Sequence, residues 1–232
     1  MSSTTLDLDG ALKGFFKDRE WLLKIIPGGL INFAALALFR VNTAFLPLSI
    51  AILGLSYGYL LRVLRLSIKG ELEQLPDWSD TIDLLVSGLS WLSICLGFAF
   101  FTLALLSTSL LAGGLTKLVN MSNPAFLVWS EGTFVTVYAL IIAFKFFLAV
   151  LMANFAEEER MLAGFAWAKV LKRIAKQPVP LLVAWLAGMT LSFAAVFIPA
   201  ISLIGTIFVP FLSFFADVIA VRMIGQAWVE PN

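Results

Sequence analysis

Three apolar runs, at residues 45 to 61, 94 to 116 and 179 to 221, constrain this chain more than any other feature. They carry almost no charge until Asp217, and a helix crossing a bilayer needs about 20 such residues. Composition supports the same reading: 60% of the 232 residues are apolar and 13% are charged, against about 25% charged in a soluble domain. Too little polar surface is left to face water, so the solvent of this chain is lipid.

The runs are continuously apolar, whereas barrel strands alternate apolar and polar residues. An all-α polytopic bundle is therefore expected, a single integral membrane domain over 1–232 with about six spans, at about 22–39, 45–66, 92–114, 130–153, 179–198 and 201–224. Cytoplasmic loops retain Lys and Arg, which orients the chain. With the N-terminus inside, Lys13, Lys17, Arg19, Lys24, Arg62, Arg65, Lys69, Arg160, Lys169, Lys172, Arg173, Lys176 and Arg222 are cytoplasmic. Only Arg40 and Lys117 fall outside, and Lys145 falls within a span. The asymmetry predicts a multi-pass protein of a prokaryotic inner or cell membrane with both termini cytoplasmic. The start, MSSTTLDLDG, is acidic and lacks the basic and apolar regions of a signal peptide, so no cleavage is expected.

Three cytoplasmic segments, about 11–24, 77–91 and 157–177, have the pattern of amphipathic helices lying in the membrane surface. In the first, Lys13, Lys17, Glu20 and Lys24 form a polar stripe opposite Leu12, Phe15, Phe16, Leu22 and Leu23. In the second, Pro76 and the candidate cap Asp77 open a helix with Trp78, Ile82, Leu85 and Leu89 on one face. In the third, Lys169, Lys172, Arg173 and Lys176 oppose Trp167, Val170, Leu171 and Ile174, a basic face suited to anionic lipid headgroups. Each segment precedes an odd-numbered span and carries a Trp near its interface, so the chain has a three-unit pattern without sequence identity between units.

The stretch from Gly58 to Leu89 resembles a family of uncharacterised bacterial and archaeal membrane proteins called domain of unknown function 4013. The residues that carry the resemblance are Gly58, Tyr59, Arg62, Arg65, Gly70, Leu75, Pro76, Trp78 and Asp80, together with the ending Gly225-Gln226-Ala227-Trp228. The resemblance implies a six-helix membrane bundle and supplies no activity.

Gly54-Leu55-Ser56-Tyr57-Gly58 matches the G-x-S-x-G nucleophile elbow, but the chain has no His and the motif lies in an apolar helical run. Read as G-x-x-x-G, Gly54 and Gly58 form a smooth strip for close helix packing, within the chain or between copies in a homo-oligomer. Ser93 with Gly97 and Ala184 with Gly188 continue the theme, while Pro180, Pro199 and Pro210 mark helix ends or kinks.

Lys145 and Asp217 are the ionisable residues deepest in predicted spans, and each costs roughly 2.5–3.5 kcal/mol at a helix centre when unpaired. They are the candidate intramembrane ion pair, against which stand snorkelling by Lys145 and a local contact of Asp217 near Arg222. Glu131 is expected at the external interface. No metal-ligand spacing, no nucleotide loop and a net charge of +1 leave no expected cofactor, metal or nucleic-acid partner. The single Cys95 forms no internal disulfide. The sequence therefore predicts a non-catalytic protein that organises or assembles membrane components, with lipid, another membrane protein or a second copy as partner. The rival reading is a small-solute or ion transporter using Lys145 and Asp217.

Overall fold

The computed structural model describes residues 14–119, 124–202 and 204–229, and the side chains there except at 105, 108–119, 124–135, 137 and 138. No strand occurs among the described residues. The helices are α1 (Trp21–Val41), α2 (Leu46–Ile68), α3 (Thr81–Val119), α4 (Pro124–Glu158), α5 (Trp167–Lys176), α6 (Pro178–Ala200) and α7 (Gly205–Trp228). Short 3-10 turns at Thr43–Phe45 and Met161–Phe165 link α1 to α2 and α4 to α5.

Among the described residues, six helical segments are long and apolar enough to cross a membrane: Trp21–Val41, Thr43–Ile68, Thr81–Ala104, Ala139–Glu158, Pro178–Ala200 and Gly205–Trp228. The expected count of six stands. At 1.5 Å per residue, the 39 residues of α3 and the 35 of α4 reach about 58 and 52 Å, well beyond a hydrocarbon layer of about 30 Å. Lys117 and Glu131, and the first residues of the 11–24 segment, lie outside the residues whose side chains are described.

The chain divides into two compact units, residues 1–92 with 149–232, and residues 93–148. In the first unit α7 is central: half of its apolar window is buried, against 22% for α1 and for α6, and it packs against α1, α2 and α6. Small residues permit this. A Cβ on Gly28 or Gly29 of α1 would overlap Phe214 or Phe211 of α7, one on Gly188 of α6 would lie 2.8 Å from the Ala220 Cβ, and one on Gly225 would lie 2.5 Å from the Ser67 Cβ of α2. Pro210 is buried in the second turn of α7 without ending the helix. In the second unit, Phe98 and Phe144 meet edge to face with ring centroids 5.1 Å apart.

The surface segments differ from expectation. The 11–24 segment breaks at Asp18, whose Oδ1 accepts from the Glu20 amide at 2.8 Å. A helical turn at 14–17 precedes the break, and Lys24 belongs to α1. The local side-chain-to-backbone bond competes with helix continuation and prevails. The 77–91 segment contains no separate surface helix. Residues 77–80 are irregular, Asp80 takes φ 58°, and the helix opens only at Thr81 to run unbroken into the third span. Asp77 is not a cap. With no Pro between Thr81 and Val119, nothing interrupts that helix. The 157–177 segment is divided by Glu159 at φ 55° and by the Met161–Phe165 turn, leaving α5 as its only α-helix.

Candidate functional site: a clasp around the 69–80 loop

Asp18, Lys24, Tyr59, Arg62, Trp78 and Arg222 of the first unit converge on the loop between α2 and α3. Gly70 ends α2 with φ 80°, a left-handed conformation that suits glycine. The Gly70 amide donates to the Ser67 carbonyl at 3.2 Å and the Glu71 amide to Leu66 at 2.9 Å, the paired bonds of a Schellman ending. The chain then turns back beneath the N-terminal segment.

Asp18 holds that segment to the loop. It is 8% exposed, and its Oδ2 accepts from the Leu75 amide and from Lys24 Nζ, each at 2.9 Å. Lys24 Nζ also donates to the Leu75 carbonyl at 2.8 Å and lies 3.3 Å from Asp77. Burial alone pushes the Asp18 carboxyl up. The Leu75 amide, the Lys24 ammonium and the Glu20 amide together outweigh it and hold the group below its ordinary value.

From the other side the loop is held by α1 and α2. Tyr59 is fully buried, donates its hydroxyl to the Pro76 carbonyl at 3.0 Å, and stacks on Trp78 with ring centroids 4.3 Å apart and an interplanar angle of 11°. Trp78 Nε1 donates to the Lys24 carbonyl at 2.7 Å. Arg62 donates to the Ser79 carbonyl at 2.7 Å and pairs with Asp83 at 3.1 Å. Arg222 of α7, 2% exposed, donates to the Leu72 carbonyl.

A second set of contacts joins α2, α4, α5 and the end of α7. Arg65 Nε lies 3.3 Å from a Glu159 carboxylate oxygen, and Asn154 donates to the Ala163 carbonyl at 2.9 Å. Arg173 Nε donates to the Trp228 carbonyl at 3.2 Å, with its guanidinium 4.7 Å above the indole. Lys169 does not project freely: it pairs with Glu158 at 2.6 Å and Glu157 at 3.3 Å. Partial burial lowers the Lys169 pKa, but those two carboxylates reverse the effect and leave it raised. On α5 the side chains of Lys172 and Lys176 are exposed, as are Leu171 and Trp167.

Gly54 and Gly58 pack within the chain. A Cβ on Gly58 would overlap the Leu84 carbonyl, and one on Gly88 would overlap the Gly54 carbonyl, so α2 and α3 approach with backbones nearly touching. The strip proposed for contact between copies is occupied by α3. Ser56 of the elbow-like motif is 2% exposed inside α2.

Lys145 and Asp217 fall in different units. Within its own unit, Asp217 accepts from Ser192 Oγ of α6 at 3.3 Å. Lys145 is exposed in the second unit.

Sequence reasoning missed Asp18, Lys24 and the clasping role of Arg222. A Lys on the polar stripe of an expected surface helix gives no sign of turning inward, and Asp18 belongs to no motif. The signal available was the motif Gly58 to Asp80 itself: its Tyr, Arg, Gly, Pro and Trp all meet at this loop. Among the described residues no group of three His, Cys, Asp or Glu is placed to hold a metal. The arrangement fixes backbone rather than presenting reactive groups, since nearly every polar atom in it bonds a carbonyl, an amide or an opposite charge.

The family model described as "Protein of unknown function (DUF4013)" matches residues 43–206, which takes in the loop and most of the six spans. No curated protein and no solved structure matches the chain significantly.

Proposed function

The chain belongs to the DUF4013 family of proteins of unknown function, and we propose that it is a non-catalytic integral membrane protein that organises or assembles membrane components, protein or lipid. One observation carries this reading. Tyr59, Arg62 and Trp78 of the motif fasten the 69–80 loop and Arg65 pairs with Glu159, while the spanning helices direct large apolar side chains outward. Phe197 of α6 is 55% exposed and Phe208 of α7 54%, with Ile201 in the turn between them at 86%, a surface suited to lipid or to the helices of a partner.

In this reading the loop, α5 and both termini are cytoplasmic, in accord with the Lys and Arg distribution. The α5 helix lies in the membrane surface, with Lys172 and Lys176 toward anionic headgroups and Trp167 and Leu171 toward acyl chains. Lys169 and Arg173 contribute less to lipid attraction than their sequence pattern suggests, because Glu157, Glu158 and the Trp228 carbonyl already engage them.

The transport reading keeps one favourable observation, the half-buried carboxylate of Asp217 in the last span, bonded to Ser192. Its coupling to Lys145 is part of that proposal.

Photocrosslinking groups placed singly at Phe197, Ile201 and Phe208 in native membranes distinguish the two. Assembly predicts a discrete protein or enriched lipid adduct at a subset of these positions. Uniform labelling by bulk lipid, together with a solute flux in reconstituted vesicles that Asp217→Asn abolishes, would replace assembly by transport.

A further inference from the structure

Arg222 is a buried cation without a carboxylate at ion-pair distance among the described residues. Its Nη2 bonds the Leu72 carbonyl, its guanidinium lies 5.9 Å from the Phe15 ring centroid, and its Nη1 is buried with no hydrogen-bond partner among the described residues. A guanidinium does not shed its proton, so burial cannot be relieved by neutralisation. One carbonyl and one aromatic face compensate only part of the lost hydration. The planar fork has the geometry to grip two oxygens of one anion.

The cover over this group is the N-terminal turn. A Cβ on Gly14 would lie 3.1 Å from both Arg222 Nη2 and the Leu72 carbonyl oxygen, so at Gly14 the strap leaves no room for a side chain beside the guanidinium. Phe15 is fully buried against Phe215, centroids 5.1 Å apart. Lys17 bonds Glu73 at 3.2 Å at the exposed edge. What hooks the strap is Asp18, on the Leu75 amide and Lys24. Arg222 stands six residues from Trp228, the last residue of α7, about 9 Å along the axis. That places it near a helix end, where lipid phosphates lie.

We infer that Arg222 is an anion site for a phosphate group, roofed by residues 14–18 and opened when Asp18 releases Leu75. The inference does not depend on whether the protein assembles components or transports solute. A phosphate drawn from a lipid headgroup and a free phosphate share this chemistry, and the probes separate them.

The full chain in detergent is titrated with inorganic phosphate, with a short-chain phosphatidylglycerol and with the matched phosphatidylcholine, and bound mass is read by native mass spectrometry. Saturable binding of either anion is expected, and the probe that saturates identifies the source. Asp18→Asn, which weakens the hook on the Leu75 amide and Lys24 and removes a nearby negative charge, should tighten that binding about tenfold, and Arg222→Lys, which keeps the charge but loses the fork, should weaken it about tenfold. Absence of saturable binding to both anions in wild type and in Asp18→Asn overturns the site, as does unchanged affinity in Arg222→Lys. Should Arg222→Lys fail to fold, Asp18→Asn decides alone: unchanged or weaker affinity contradicts the inference.

Discussion

Three donors, the Leu75 amide, the Glu20 amide and the Lys24 ammonium, converge on the Asp18 carboxylate, and this sets how the clasp responds to acid. Because they hold the Asp18 pKa below its ordinary value despite burial, the folded chain takes up the proton less readily than the unfolded one. The stabilisation is therefore complete above the unfolded pKa and is lost as pH falls through the lower folded value. Asp18→Asn should cost about 1–3 kcal/mol near neutral pH, since the amide keeps some bonds but leaves Lys24 under-compensated. Thermal melts in detergent check this: wild type should lose stability as pH falls below about 4, and the variant should show a flatter acid limb. Tyr59→Phe, which orphans the Pro76 carbonyl while keeping the stack on Trp78, should cost about 1 kcal/mol. At this scale the sequence revealed the motif residues but not their partners. Asp18 and Arg222 are 204 positions apart and meet on one loop, a proximity that periodicity does not encode.

The helices were more legible than the segments between them. Apolar run length places a span well, because a stretch of about 20 apolar residues admits few other states in lipid. It does not separate a surface helix from the first turns of a span, since both carry mixed faces. The sequence therefore suggested a surface helix over 77–91, where a single helix runs from Thr81 into the bilayer. The breaks that matter are single residues with positive φ, Gly70, Asp80 and Glu159, of which only glycine advertises itself. Gly54 and Gly58 were legible as packing residues, and the structure adds Gly88 as their counterpart on α3. Gly58→Ala and Gly88→Ala should each cost about 3 kcal/mol or more, because each new methyl meets backbone that cannot turn aside. Gly97→Ala, with nothing within 4 Å of its Cβ, should be neutral. Size-exclusion profiles and melting temperatures of the three variants read this directly, and equal losses would remove the close approach of α2 to α3 from the account.

For the whole molecule, the six spans, the loop fastened by Asp18, Lys24, Tyr59, Arg62 and Arg222, and the proposed surface placement of α5 form one account only if loop and α5 face the same compartment. Charge asymmetry argues that they do, and that this compartment is the cytoplasm. Cysteine accessibility in intact cells tests it most directly. In a Cys95→Ser background, single cysteines replace Glu73 in the loop, Lys172 on α5 and Lys117 between the third and fourth spans. The account predicts that a membrane-impermeant maleimide labels position 117 in intact cells and positions 73 and 172 only after permeabilisation. Labelling of 73 and 172 in intact cells with protection of 117 would reverse the orientation, and opposite behaviour of 73 and 172 would break the six-span arrangement itself.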